Sequence, residues 1–341
     1  MNIIRSTTKK EYTKKQLTIQ WMALVLGCII ILCGLAVVYF LFFNQQRTFT
    51  ITETYKITST SGSKTYLQVS LPISGGYQDI SDIYVKGADD YFYEYFGTWR
   101  DLIINVPSVE SETIIILSYT AKLFRNAHPW IGPVINADTL PQQFIDSDNE
   151  AIIEMAKKLR GKTDFETAQN IHDFVYDLIS WPTGDQINKT QLYASELLES
   201  PIGVCGDFAI LMTALLRAEG IPARSITGLT ISLNRLIFHR PHDWGHQGGS
   251  HAWVEFYTDG KWHFADPSWG WFNKNRTEHL SFGTYESNIN SYFQLNRINE
   301  IEEAGFHVIG AMSAPLRFMV YSTDEHASVI PRGDVKFSWF N

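Results

Sequence analysis

The chain has 341 residues, of which 45% are hydrophobic, 19% are charged and 14% are aromatic. This composition excludes a disordered chain or a low-complexity polymer, and the length allows about two folded domains. The formal net charge is −8 at pH 7, from 28 Lys and Arg against 36 Asp and Glu. Because nucleic-acid-binding proteins present a basic face to the phosphate backbone, this net-acidic chain argues against nucleic acid as a partner.

A long apolar segment lies close to the start of the sequence. Residues 16–46 contain no charged side chain, and residues 21–43 are almost entirely apolar. A run of about 20 apolar residues is long enough to span a bilayer as a helix. A secretory signal peptide is the alternative, but its apolar core is usually about 7–15 residues and is followed by small residues. This segment instead ends in the aromatic run YFLFF, so we expect a transmembrane helix over 19–43 and the membrane as a partner.

Basic side chains flank the apolar segment on its N-terminal side. Within residues 1–20, a single acidic residue, Glu11, accompanies five basic ones: Arg5, Lys9, Lys10, Lys14 and Lys15. Cytoplasmic flanks of membrane helices carry such an excess of Lys and Arg. We therefore expect a single-pass plasma-membrane protein with a cytoplasmic basic tip at 1–18 and with the remainder of the chain outside.

The segment after the apolar helix has the pattern of a small β domain. Apolar and polar residues alternate over 49–58, as in a half-buried strand. Further strand-like runs follow, separated by turn residues, at 66–71, 83–85, 91–96, 102–106 and 113–124. We expect a β-sandwich over 48–125, followed by a Pro- and Gly-containing linker at 126–147.

Helical patterns replace the strand patterns after the linker. Asp148 or Asn149 can cap a first helix, and the capping-box pattern Thr163-x-x-Glu166 opens a second. A third amphipathic helix begins at about Gly206. The residue just before that start is a cysteine.

Cys205 is the only cysteine outside the apolar segment, which contains Cys28 and Cys33. A free cysteine is often simply a small buried apolar residue. Unpaired N–H groups at a helix N-terminus, however, stabilise the thiolate, which is the nucleophilic form. The neighbouring Gly203 and Gly206 would let a substrate backbone approach the sulfur. These features favour a reactive cysteine.

A histidine and an aspartate are predicted to meet on a β-hairpin downstream. The residues Asp259-Gly260 are typical of a two-residue type I′ turn, which fixes the register of the flanking strands. This register places Trp253 opposite Asp266 and makes His251 a diagonal neighbour of Asp266, with α-carbons about 7–8 Å apart. A carboxylate on one imidazole nitrogen leaves the other nitrogen free to face a thiol. The pattern predicts a nucleophile, a base and an orienting group.

Four motifs together resemble the core of the transglutaminase-like superfamily. They are GVCGDFA at 203–209, ALLRAEGIPAR at 214–224, HAWVE at 251–255 and DPSW at 266–269. The resemblance covers about residues 145–272. It implies an α+β, papain-like scaffold with helices packed on an antiparallel sheet, Cys205 as the nucleophile, His251 as general base and acid, and Asp266 as the residue that orients His251.

This superfamily includes transglutaminases, peptidases, deamidases and inactive members. The resemblance therefore implies a cysteine hydrolase or acyltransferase that acts on peptide or glutamine amides of a peptide or protein substrate, with no cofactor. The basic flank of the apolar segment leads us to expect this enzyme outside the cytoplasm. The alternative is a catalytically inactive, membrane-tethered binding module of the same fold.

The oxyanion donor does not follow from the motifs. Papain-type enzymes have a glutamine shortly before the nucleophile, whereas Glu199 occupies that neighbourhood here. Trp181 and Gln191 are the side-chain candidates, beside the backbone N–H of Cys205.

Tryptophans are concentrated around the predicted triad. We expect Trp253 to be a core residue. Trp244, Trp269 and Trp271 are instead candidates for lining a substrate groove.

Histidines between the two catalytic motifs offer an alternative site. His239, His242, His246 and His251 could be considered for zinc, but their spacing matches no compact metal motif and no second cysteine is nearby. No metal site is expected there.

The catalytic domain is assigned to 148–341, with its motifs concentrated in 148–272. Strand-like runs at 316–321 and 335–339 are expected to complete or cover its sheet.

Overall fold

The computed structural model describes residues 14–43, 46–60, 62–107, 112–125, 132–183, 192–231, 250–274, 278–284, 305–309 and 318–338. It divides the chain into two compact units, Met1–Gln45 and Gln46–Asn341. The fold is a mixed α/β fold with antiparallel sheets, which confirms the predicted class.

Helix α1, Lys14–Phe43, belongs to the first unit. Its Thr18–Val37 segment is 20 residues long with a mean hydropathy of 2.4, and none of that segment is buried within the protein. The predicted apolar helix is therefore present. By length and composition it can cross a membrane.

The strands predicted after α1 are present. The six strands are β1 Gln46–Thr58, β2 Thr65–Leu71, β3 Gln78–Lys86, β4 Asp90–Phe96, β5 Trp99–Val106 and β6 Thr113–Phe124. Strand β1 pairs with β6 and β6 with β3, whereas β2 pairs with β5 and β5 with β4. The alternation in β1 buries Phe49, Ile51 and Tyr55 in a core to which Leu67 of β2 and Leu102 of β5 also contribute. Two sheets thus pack on one core.

The C-terminal strands extend these two sheets. They are β12 His307–Ile309, β13 Phe318–Ser322 and β14 Ser328–Ser338. Strand β14 lies in one sheet, and β12 and β13 lie in the other. Strand β14 pairs with β1 along its length, β13 pairs with β2, and β12 pairs with β13. We expected the C-terminal strands to complete or cover the sheet of the 148–341 segment. This expectation is wrong, because β13 and β14 pair with β2 and β1 instead. Their sequence alternation predicts a half-buried strand but carries no information about which strand is its partner.

Four helices form the middle segment, and the first two have the predicted caps. They are α2 Glu150–Lys158, α3 Asp164–Leu178, α4 Ala194–Glu199 and α5 Cys205–Ala218, preceded by a 3₁₀ turn at Asn136–Asp138. Asn149 caps α2 by accepting a hydrogen bond from the Ala151 N–H at 2.9 Å, and Thr163 caps α3 by accepting from the Glu166 N–H at 3.1 Å.

A five-stranded antiparallel sheet faces α5. Its strands are β7 Ala223–Thr230, β8 Ser250–Thr258, β9 Lys261–Asp266, β10 Trp271–Phe272 and β11 His279–Thr284, in the order β10-β9-β8-β7-β11. Apolar residues of α5, such as Leu211 and Leu215, share a buried core with Val254 and Phe256 of β8. This core fixes the start of α5 relative to the sheet.

The described part of the predicted linker, residues 132–147, contacts this sheet. Asp138 is buried and accepts two hydrogen bonds from Arg224 of β7, at 2.6 and 2.8 Å. The Gly132 carbonyl accepts one from the Trp262 indole of β9 at 3.1 Å. These contacts hold residues 132–138 against β7 and β9.

Candidate active site

Cys205 is the first residue of α5 and is partly exposed. The carboxylate of Asp207 accepts a hydrogen bond from the backbone N–H of Val204, the N-cap residue, at 2.8 Å. A Cβ on Gly203 would lie 2.5 Å from the Asp207 Cβ, so glycine is required there by this capping contact. The predicted position of the cysteine at a helix N-terminus is confirmed, and the helix begins at Cys205, one residue earlier than predicted.

The β8–β9 hairpin has the register expected from its turn. Asp259 and Gly260 both have positive φ, 51° and 77°, as a type I′ turn requires. Thr258 pairs with Lys261, and Val254 with Ala265. His251 and Asp266 therefore lie as diagonal neighbours, and the His251 Nε2 atom is 2.7 Å from the Asp266 Oδ2 atom.

Three elements bring the predicted triad together. The Cys205 thiol of α5 also acts on the His251 ring, since it is among the groups that raise the pKa of His251. Since Nε2 is bonded to Asp266, Nδ1 is the ring nitrogen left for the thiol. Trp253 does not separate the histidine from the aspartate but is fully buried beside them, as expected of a core residue.

The site favours a charged histidine. Burial would lower the pKa of His251, which is 5% exposed, but hydrogen bonds to Asp266 and Cys205 and the charges of both raise it to about 9. Burial would raise the pKa of Asp266, but hydrogen bonds from His251 and from His279, with their charges, hold it below its ordinary value. The pair is therefore an imidazolium and a carboxylate at neutral pH.

The second oxygen of Asp266 is anchored by the turn that follows β9. Its Oδ1 accepts hydrogen bonds from the Ser268 backbone N–H at 3.1 Å, the Ser268 hydroxyl at 2.8 Å and the Trp269 backbone N–H at 3.2 Å. Asp266 is 0% exposed. These donors satisfy the buried carboxylate on the side away from His251.

His279 is a site residue that the sequence analysis missed. It lies at the start of β11, is 0% exposed, and places its Nε2 atom 3.0 Å from the same Asp266 Oδ2 atom. No local motif marks it. The signal is nonlocal, because His279 reaches the site only when β11 pairs with β7 through the partners His279 and Thr230.

Two of the three predicted groove tryptophans lie at the site. The Trp269 ring is 4.7 Å from the His251 ring between centroids, and the Trp271 ring is 4.9 Å from the Trp269 ring. Both tryptophans are partly exposed. Trp244 lies outside the described residues.

Of the two candidate oxyanion donors, one can be placed. Trp181 is 49% exposed, and its ring lies 5.8 Å from that of Phe208 in the first turns of α5. Gln191 lies outside the described residues, and Glu199 ends α4. The Cys205 backbone N–H, as the first of α5, has no acceptor within the helix.

Within the described residues, one cluster has the composition of a metal site. It consists of His251, Asp266 and His279, whose potential ligand atoms lie within 4.8 Å of one another. Both histidine Nε2 atoms already donate to the Asp266 carboxylate, so a metal ion would have to displace both hydrogen bonds. The other three histidines of the zinc alternative, His239, His242 and His246, lie outside the described residues.

Residues 153–267 match the model of the transglutaminase-like superfamily core. An uncharacterised protein of Mycobacterium leprae is 36% identical over 66 residues, which are 19% of this chain and 22% of that protein. The chain thus matches about a fifth of the length of this curated relative.

Solved structures resemble the chain at low sequence identity. A candidate cysteine protease from Cytophaga hutchinsonii superposes with a TM-score of 0.53 at 16% identity, over 86% of this chain and 99% of that one. The periplasmic domain of TgpA from Pseudomonas aeruginosa gives 0.33 at 15% identity, over 67% and 89%. The chain therefore carries a transglutaminase-like core domain and has the fold of that superfamily.

Proposed function

We propose that this chain is a membrane-anchored, extracytoplasmic thiol enzyme that acts on peptide or glutamine amides through Cys205, His251 and Asp266. One observation carries the proposal. The thiol at the start of α5 and the carboxylate at the end of β9 both act on one buried imidazole, the carboxylate through a hydrogen bond of 2.7 Å. A nucleophile, a base and an orienting group in this order define the triad arrangement for acyl transfer.

The first half-reaction forms a thioester. The Cys205 thiolate attacks the carbonyl carbon of the amide, and the developing oxyanion lies near the N-terminus of α5, where the Cys205 N–H has no acceptor within the helix. As the carbon–nitrogen bond breaks, the His251 imidazolium gives its proton to the departing nitrogen, which leaves as ammonia or an amine. The histidine is then neutral and the acyl group is bound to sulfur.

The second half-reaction consumes the thioester. Neutral His251 takes a proton from the incoming water or primary amine, which attacks the thioester carbonyl and releases the thiolate. Water gives peptidase or deamidase chemistry, and a primary amine gives crosslinking. Throughout, Asp266 keeps the imidazole oriented and stabilises its charged form.

Helix α1 supplies the proposed membrane anchor. Its 20-residue apolar segment meets the length needed to span a bilayer. The excess of basic residues before it supports a cytoplasmic N-terminus with the catalytic residues outside.

Incubation of the detergent-solubilised full chain with a glutamine-containing peptide, with and without a primary amine, tests the reaction. We expect Cys205-dependent ammonia release or cleavage without the amine, or formation of an amine adduct with it, detected by mass spectrometry. Cys205→Ser should abolish turnover. Cys28→Ser, in α1, is the matched control and should retain it.

The inactive binding module is the competing account. It predicts no turnover by the wild-type chain on any member of a panel of glutamine and peptide substrates, together with a Cys205 thiol that does not react with electrophiles. That combined result would reject the proposed function.

A further inference from the structure

Asp266 Oδ2 lies between two histidines. His251 Nε2 approaches it at 2.7 Å from β8, and His279 Nε2 approaches it at 3.0 Å from β11. A carboxylate is an acceptor, so both rings donate an N–H to this one oxygen. His279 lies beyond the 153–267 segment that matches the superfamily core.

The protonation of His279 follows from its surroundings. Its Nδ1 atom is buried and has no hydrogen-bond partner among the described residues. Adding a proton there would bury a second positive charge beside the His251 imidazolium and leave its N–H unpaired. In agreement, burial lowers the pKa of His279, and the hydrogen bond and charge of Asp266 offset this only in part. His279 is therefore a neutral donor.

Aromatic rings fix the orientation of this donor. The His279 ring lies 4.9–5.6 Å between centroids from the rings of Trp253, Phe264, Trp269 and Trp271. The titratable groups that act on it are Asp266 of β9 and His251 of β8. A ring held in this way can aim one N–H at a fixed point without adding charge to the site.

We propose that His279 is a positioning residue of the catalytic site, which holds the Asp266 carboxylate so that it orients the His251 imidazolium toward Cys205. This inference rests on the proposed function. Oδ1 of Asp266 is bound to the Ser268–Trp269 turn and Oδ2 is bound by His279, so the carboxylate has its plane fixed from both ends. Without the His279 N–H, Oδ2 keeps only His251 and the carboxylate can rotate about its Oδ1 contacts.

The pH dependence of Cys205 alkylation separates positioning from packing. At about pH 6.5 the thiolate depends on a well-placed imidazolium, whereas at about pH 9.5 a thiol is ionised without one. The rate of alkylation by iodoacetamide at about pH 6.5, divided by the rate at about pH 9.5, therefore reports the placement of His251. A general loss of packing would change both rates together.

His279→Phe keeps a ring of similar size but removes the N–H donor, and His279→Gln restores a donor at the Nε2 position. In the detergent-solubilised full chain, we expect the first variant to lower the rate ratio about fivefold or more and the second to stay within about twofold of wild type. His263→Phe is the matched control. His263 is also buried in this sheet, but its ring nitrogens contact Asn273 and Thr258 and not Asp266, so the ratio should not change.

Two results would overturn the inference: an unchanged ratio in His279→Phe, or a ratio lowered equally in His279→Phe and His279→Gln. If His279→Phe does not fold, His279→Met takes its place as the variant without a donor. His251→Ala is measured in parallel. If the rate ratio of His251→Ala equals that of the wild-type chain, the proposed function fails. If His251→Ala lowers the ratio and only the His279 variants fail to behave as expected, the role of His279 alone is rejected.

Discussion

The Nε2 atom of His251 lies 2.7 Å from the Oδ2 atom of Asp266, on strands joined by a two-residue turn. This hydrogen bond and the charge of the carboxylate outweigh burial and contribute to raising the pKa of His251 to about 9. The imidazolium therefore persists through neutral pH. The first prediction follows from this pair.

Asp266→Asn should lower the pKa of His251. The amide keeps the size of the side chain but removes the charge, so burial acts with less opposition. We expect the midpoint of the His251 titration, followed by NMR of labelled histidine rings in the detergent-solubilised chain, to move down by at least about one pH unit. An unchanged His251 midpoint would contradict the role given to Asp266.

Glu255→Gln should stabilise the protein more at about pH 8 than at about pH 5. Glu255 is 0% exposed, and its carboxyl oxygens have no hydrogen-bond partner among the described residues. Burial raises its pKa well above the ordinary value, with a partial offset from Arg224. The folded state therefore binds this proton more tightly, so its stabilising effect is complete below the unfolded-state pKa and is lost as the pH rises.

Melting temperatures of the two chains at both pH values measure this effect. Glu154→Gln, at an exposed position of α2, is the control, and its effect on the melting temperature should be nearly the same at both pH values. An equal shift for Glu255→Gln at both pH values would refute the assignment of a neutral buried carboxyl group.

Gly228→Ala should destabilise the sheet beside the site. Gly228 pairs with His251, and a Cβ there would lie 2.1 Å from the Leu280 carbonyl oxygen and 2.6 Å from the Trp253 ring. Relieving such overlap costs about 1–3 kcal/mol or more. Gly206→Ala is the matched control, since its Cβ would meet no atom within 4 Å and alanine in a helix is favoured by about 0.5–1 kcal/mol. Denaturant titration should show a lower free energy of unfolding for Gly228→Ala and a higher one for Gly206→Ala than for wild type.

The membrane orientation can be tested by proteolysis of intact cells. Added protease should degrade the part of the chain after α1 and spare residues 1–15, because the basic flank favours a cytoplasmic N-terminus. Detection uses antibodies against tags at either end. Protection of the C-terminal part in cells that are intact, and its digestion after lysis, would contradict the proposed placement.

Local sequence signals predicted much of the site. The Asp259-Gly260 turn determines the β8–β9 register, and hence the pairing of His251 with Asp266, because a two-residue loop leaves no freedom to slip. The position of Cys205 follows from the helical periodicity of the residues after it. Each of these signals acts over a few residues of sequence.

Nonlocal strand pairing accounts for what the sequence did not reveal. His279 reaches Asp266 because β11 pairs with β7, about 50 residues earlier in the chain. The pairing of β14 with β1 joins the two ends of the Gln46–Asn341 unit. Alternation identifies each strand and its buried face, but the partner is chosen by the packing of the whole sheet.

The central claim is tested most directly by the reactivity of the Cys205 thiol. Iodoacetamide should alkylate Cys205 in the detergent-solubilised full chain well below pH 8, as followed by peptide mass spectrometry. His251→Ala should slow this labelling about tenfold or more at about pH 6.5, because the change removes the cation that stabilises the thiolate. A loss of about 1.4 kcal/mol of this stabilisation lowers the thiolate population about tenfold. A folded wild-type chain whose Cys205 is unreactive, or is labelled only at about pH 8–9 and at the same rate in His251→Ala, would contradict the account.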